Sequence, residues 1–131
     1  MIKQDYLVRM IQEIITLIIQ ALLNRRKIKK ESWVEYDDLT RQILGVPSEK
    51  LPEISPDEIL SRYEGDPFRM GKIELAAVTL LKVADESDIR LVNRSKLQQD
   101  ALALLRYVQQ NSTEFSLQRI QIINLLEQNC R

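Results

Sequence analysis

Residues 4–31 read QDYLVRMIQEIITLIIQALLNRRKIKKE. Polar side chains fall at Asp5, Arg9, Gln12, Glu13, Thr16, Gln20 and Asn24. That spacing is close to 3.6 and draws one narrow polar stripe along a helix. Around the stripe stand Leu7, Met10, Ile11, Ile14, Ile15, Leu17, Ile18, Ile19, Leu22 and Leu23. A helix that is apolar on most of its circumference has to be covered on most sides. Arg25, Arg26, Lys27, Lys29 and Lys30 follow at its C-terminal end, where cations suit the helix dipole. The stretch is therefore expected to be the central beam of a soluble helical protein.

A membrane offers two competing readings. A lone span wants about 20 apolar residues with few charges. Arg9 and Glu13 interrupt it here, and an ionised group near a bilayer centre costs roughly 2.5–3.5 kcal/mol. A helix lying on an anionic leaflet is the stronger rival, because each of the five basic residues would contribute about 1 kcal/mol. Interfacial helices, however, carry a broad charged face, whereas this stripe is narrow and mostly uncharged. The favoured expectation is a protein-covered helix. Leu7, Met10, Ile11, Ile14, Ile15, Ile18 and Leu22 are its candidate interface, and a homodimer or a partner helix would cover them. Arg25, Arg26, Lys27, Lys29 and Lys30 are the candidate contacts of the alternative, a peripheral membrane protein using residues 6–30.

The remaining chain is also helical by pattern. Three Gly and four Pro in 131 residues argue against a loop-rich or all-β fold. Ser32 and Glu35 fit a capping box for a second helix, with Tyr36, Leu39, Ile43 and Leu44 on its apolar face. Gly45 and Pro47 end it, and residues 45–54 read as a loop. Ser55, Pro56 and Glu58 give a cap, a first-turn proline and a capping box, with Ile54 and Ile59 as a hydrophobic staple. A fourth helix is expected over about 67–84 behind Asp66, burying Met70, Ile73, Ala77, Leu80, Leu81 and Ala84. A fifth is expected from residue 92 or 93 to 110 on Leu97, Ala101, Leu104, Leu105 and Val108. Ser116 should cap a sixth, with Phe115 and Ile120 stapled together and Ile123 and Leu126 continuing the face. The sum is an all-α, single-domain bundle of about six helices over residues 1–131. Residues 1–66 hold the N-terminal helices and 67–131 a helix-pair region, with the first helix packed along helices four to six.

Charge and composition restrict function. Net charge is zero, but residues 1–30 carry seven cations against two acids, and residues 31–66 carry ten acids against three cations. The basic end of the first helix is expected to lie against the acidic middle. Nucleic acid is not an expected partner, since Glu31, Glu35, Asp37 and Asp38 would repel a polyanion directly after the basic run. The chain has no His, the commonest general base and metal ligand. Cys130 is the single cysteine and reads as an incidental thiol. The acid groups at Asp37–Asp38, Asp57–Glu58 and Asp85, Glu86 and Asp88 sit at helix starts or turns, where capping explains them. No cofactor, metal site or catalytic residue is expected, so the chain reads as a non-enzymatic scaffold or protein–protein interaction protein. Asp5, Arg9 and Glu13 break up the start in a way a cleavable signal peptide does not tolerate, so the expected address is cytoplasmic.

Two resemblances add to this. "LAAVTLLKVADES" at 75–87 and "LQQDALALLRYV" at 97–108 resemble the two helices of a tetratricopeptide repeat, with Ala76 at the place of the usual glycine. Alanines 76, 77, 84, 101 and 103 would let such helices approach closely. Residues 4–14, "QDYLVRMIQEI", resemble the opening of an uncharacterised family of small bacterial all-helical proteins, on Gln4, Asp5, Tyr6, Arg9 and Ile11. The resemblance implies a long apolar first helix, tetratricopeptide-like pairs toward the C-terminus and a bacterial setting. It implies no activity.

Overall fold

The computed structural model describes residues 4–86 and 91–129. Six α-helices follow one another: α1 Gln4–Leu23, α2 Lys30–Leu44, α3 Pro56–Arg62, α4 Arg69–Ala84, α5 Leu91–Asn111 and α6 Leu117–Asn129. A single 3-10 turn, Leu51–Glu53, stands between α2 and α3. No strand occurs among the described residues, and one hydrophobic core joins all six helices.

Local signals set most boundaries. Ser55 accepts a hydrogen bond from the Glu58 backbone N–H at 3.2 Å, with Pro56 at the first helical position. Ser116 accepts from the Arg119 N–H in the same way. Gly45 ends α2 at φ 76°, a left-handed conformation glycine adopts without steric cost, and its N–H reaches the Arg41 carbonyl. The expected box at Ser32 is not the start of α2: the helix begins two residues earlier, at Lys30, with Lys29 in the cap position and no side-chain cap. The segment after α2 is more ordered than a plain loop, because Val46 and Leu51 are buried and pull it onto the core.

The central element is α4, a correction to the expectation that α1 is the beam. Every residue from 73 to 81 is buried, so α4 is enclosed on all sides. It touches α1, α2, α3, α5 and the 3-10 turn, and its contact with α5 is the most extensive in the fold. Arg69 at its start donates to the Tyr107 hydroxyl near the end of α5, while Arg94 near the start of α5 donates to the Ala84 carbonyl. The two helices are thus antiparallel. Ala76, Ala77, Ala84 and Ala101 lie in this core; Ala103 faces solvent. Two buried polar residues of α4 are satisfied internally. Thr79 donates to the Leu75 carbonyl at 2.7 Å, and Glu74 pairs with Arg119 of α6.

The first helix lies along α4, with α2 and α6 as its other neighbours; α5, expected there too, packs on α4 instead. Ile11, Ile14, Ile15, Ile18 and Ile19 are all buried within the chain, and Asp5, Arg9, Gln12, Glu13, Thr16 and Gln20 are exposed as one stripe. Gly71 of α4 sits against Ile11: an added Cβ would lie 3.4 Å from the isoleucine methyl, so glycine permits the close crossing.

Candidate interaction site

Four of the seven residues expected to meet a partner are not available to one. Ile11, Ile14, Ile15 and Ile18 are core residues; the last three are 0 % exposed. The chain's own α2, α4 and α6 supply the cover that the apolar circumference demanded. Leu7, Met10 and Leu22 are half-buried and pack against the same core. By length and apolarity alone α1 could cross a membrane. In the fold, however, its five isoleucines are buried against protein, and withdrawing α1 would bare the apolar faces of α2, α4 and α6 that they cover.

Among the described residues large apolar groups are exposed at Tyr6 and Val8 of α1 and Val34 of α2, with the most exposed of all at the α5–α6 turn. Phe115 is 80 % exposed and Leu117 59 %, on the turn between α5 and α6. The expected staple between Phe115 and Ile120 is therefore not made. A network beneath the turn fixes its shape. Arg119, 4 % exposed, donates through Nη1 to Glu74 Oε2, through Nε to Gln109 Oε1 and through Nη2 to the Glu114 carbonyl, each at 2.8 Å. The Glu114 N–H donates to Ser112 Oγ at 3.1 Å, and Gln118 donates to Thr16 Oγ1, tying the start of α6 to α1. A buried ion pair is strongly destabilising when one partner is lost, so the turn is locked to α4. Beside it opens a cleft of ≈ 460 Å³, bounded by Val8 and Gln12 of α1, Phe68 and Met70 at the start of α4, and residues 111–114.

At the other end of α1 the chain reverses through Arg25, the one non-glycine residue with positive φ among the described residues, at 54°. The Arg26 N–H returns to the Ala21 carbonyl at 2.8 Å, the hydrogen bond of a Schellman turn. A left-handed L-residue costs roughly 1–2 kcal/mol, which glycine would avoid. This turn forms one wall of a second cleft, ≈ 690 Å³, closed by α2, Ser48 and the end of α4. Trp33 and the apolar end of α1 form its floor. The Lys82 ammonium lies 4.5 Å from the Trp33 ring centre, and Tyr36 stacks at 6.3 Å. Of the five basic residues expected at an anionic surface, Arg26, Lys27 and Lys30 line this cleft; Arg25 and Lys29 are exposed outside it. Lys27 pairs with Asp85 of α4, at 3.3 Å, and also donates to the Asp85 carbonyl. The basic end thus meets the end of α4 as well as Asp37, and only partly the acidic middle of the chain.

Among the described residues no group of three His, Cys, Asp or Glu side chains is placed to hold a metal ion. Cys130 and Asp88 lie outside those residues. No family model, curated protein or solved structure matches the chain.

Proposed function

We propose that this chain is a non-catalytic interaction module whose contact face is the α5–α6 turn. One observation carries the reading: Phe115 stands 80 % exposed on a turn anchored by a buried ion pair. Exposing a phenylalanine forgoes about 1.5–3 kcal/mol of burial, which folding alone gives no reason to do. Rigid aromatic residues dominate binding energy at protein interfaces, and a turn already held in shape loses little entropy on docking. Leu117 widens the apolar patch, and uncharged Gln12, Asn111, Ser112 and Thr113 rim the neighbouring cleft. The likeness of 75–87 and 97–108 to tetratricopeptide helices supports the same class; the family resemblance at residues 4–14 implies no activity and adds only a bacterial setting. The partner is a protein, or a second copy of this chain.

The test is Phe115→Ala with Leu117→Ser. Both side chains face solvent, so the thermal midpoint should stay within about 2 °C, while self-association in sedimentation velocity or capture of a native-host protein falls at least tenfold. Unchanged association and capture, or a large loss of stability, would refute the reading.

A further inference from the structure

We propose that the cleft at the C-terminal end of α1 binds a small organic anion with an apolar body. Its ≈ 690 Å³ is of the size that holds a small molecule, and such sites combine apolar walls with a few placed polar groups. The apolar lining is Ile18, Ala21, Leu22, Ile28 and Trp33. Four cations and three acids share the lining, and their pairing decides the sign of the site. Asp85 is engaged by Lys27, and Glu86 by Lys82 at 3.8 Å. Asp37 accepts from Ser48 at 2.9 Å. Arg26 and Lys30 have no ion pair among the described residues while Asp37 keeps its charge, so four cations against three acids leave the lining one net positive charge. Lys30 also opens α2, where Lys29 supplies no side-chain cap and the helix dipole is positive.

The backbone agrees. The left-handed Arg25 turns Arg26 and Lys27 back past the end of α1, where both line the cleft while their side chains stay exposed to solvent. A flat lipid surface fits less well. A bilayer would meet Asp37, Asp85 and Glu86 along with the cations. The cleft uses the opposite end of α1 from the Phe115 turn, so this site stands or falls separately from the proposed contact face.

Trp33 is the only tryptophan and lies in the floor, which makes its emission a direct reporter. The full chain is titrated with sodium octanoate, octan-1-ol, inorganic phosphate and phosphatidylglycerol vesicles. The expected result is a saturable change with octanoate, a midpoint at least tenfold higher for octanol, and none for phosphate alone. Arg26→Ala with Lys30→Ala should raise the octanoate midpoint about tenfold or more, as loss of charge-assisted hydrogen bonds does, with an unchanged thermal midpoint. No saturable response, equal midpoints for octanoate and octanol, or an unaffected double variant would overturn the site. Phosphate binding as well as octanoate would remove the apolar body from it. Vesicle binding that octanoate cannot displace would assign the basic residues to a lipid surface instead.

Discussion

The first and fourth helices make an instructive pair. By composition α1 is the greasier, with five isoleucines in 20 residues, yet it keeps a full stripe in water. α4 carries two alanines, a threonine and a glutamate in its middle, yet it is enclosed along residues 73–81. Hydrophobicity therefore does not rank helices by depth. Small residues let neighbours close in on several sides, and a polar residue is admitted wherever its hydrogen bonds are met inside. Thr79 uses its own helix, and Glu74 uses an arginine 45 positions away.

The largest test of that contrast is Arg119→Ala. It strands the Glu74 carboxylate in the core and should cost about 4 kcal/mol in urea unfolding, with loss of order at the α5–α6 turn. Glu74→Leu combined with Arg119→Met should recover most of the loss, since a well-packed apolar pair of similar volume is often as stable as the ion pair. If the single change costs under about 1 kcal/mol, α4 is not the enclosed element described. Next comes α1. Ile15→Ala should cost about 3 kcal/mol, and Gln12→Ala, on the stripe, less than about 0.5 kcal/mol. Similar values for both would mean that α1 has no buried side.

The smallest effect concerns how α4 is anchored. Asp66 accepts the Phe68 N–H and the Lys72 ammonium, both at 2.7 Å. Burial pushes its carboxyl up, but the Lys72 and Phe68 hydrogen bonds and the Lys72 charge outweigh that and hold it below its ordinary value. A depressed folded-state pKa stabilises above the unfolded pKa, near 3.9, and that contribution disappears as pH falls through the folded value. Asp66→Asn should thus cost about 1 kcal/mol at neutral pH, and the gap should close in acid below about pH 4. A gap independent of pH would assign the effect to shape alone.

Periodicity made much of this legible. The stripe on α1, the Ser55 and Ser116 caps, the Gly45 stop and the α5 face from Leu97 to Val108 all stand where spacing puts them. The α6 face needed adjusting, because Arg119 and Ile122 take the depth expected for Ile120. What stayed hidden depends on distant partners. The burial of Glu74 rests on Arg119, which is remote in sequence. Phe115 matched a staple, a local pattern that does not reveal whether the neighbouring helix leaves room for the ring. The basic run read as the end of a helix, since nothing local to Arg25 tells that the chain turns left-handed there.

The hydrogen bond from Gln118 to Thr16 spans 102 positions. During synthesis α1 therefore emerges well before α6, the helix that helps shield it. At 5–20 residues per second the isoleucine-rich segment waits on the order of 5–20 s for that shield. A nascent chain in this interval offers the hydrophobic stretch that ribosome-bound chaperones grip, so the protein's yield should depend on translation speed and holdase supply more than its finished stability implies.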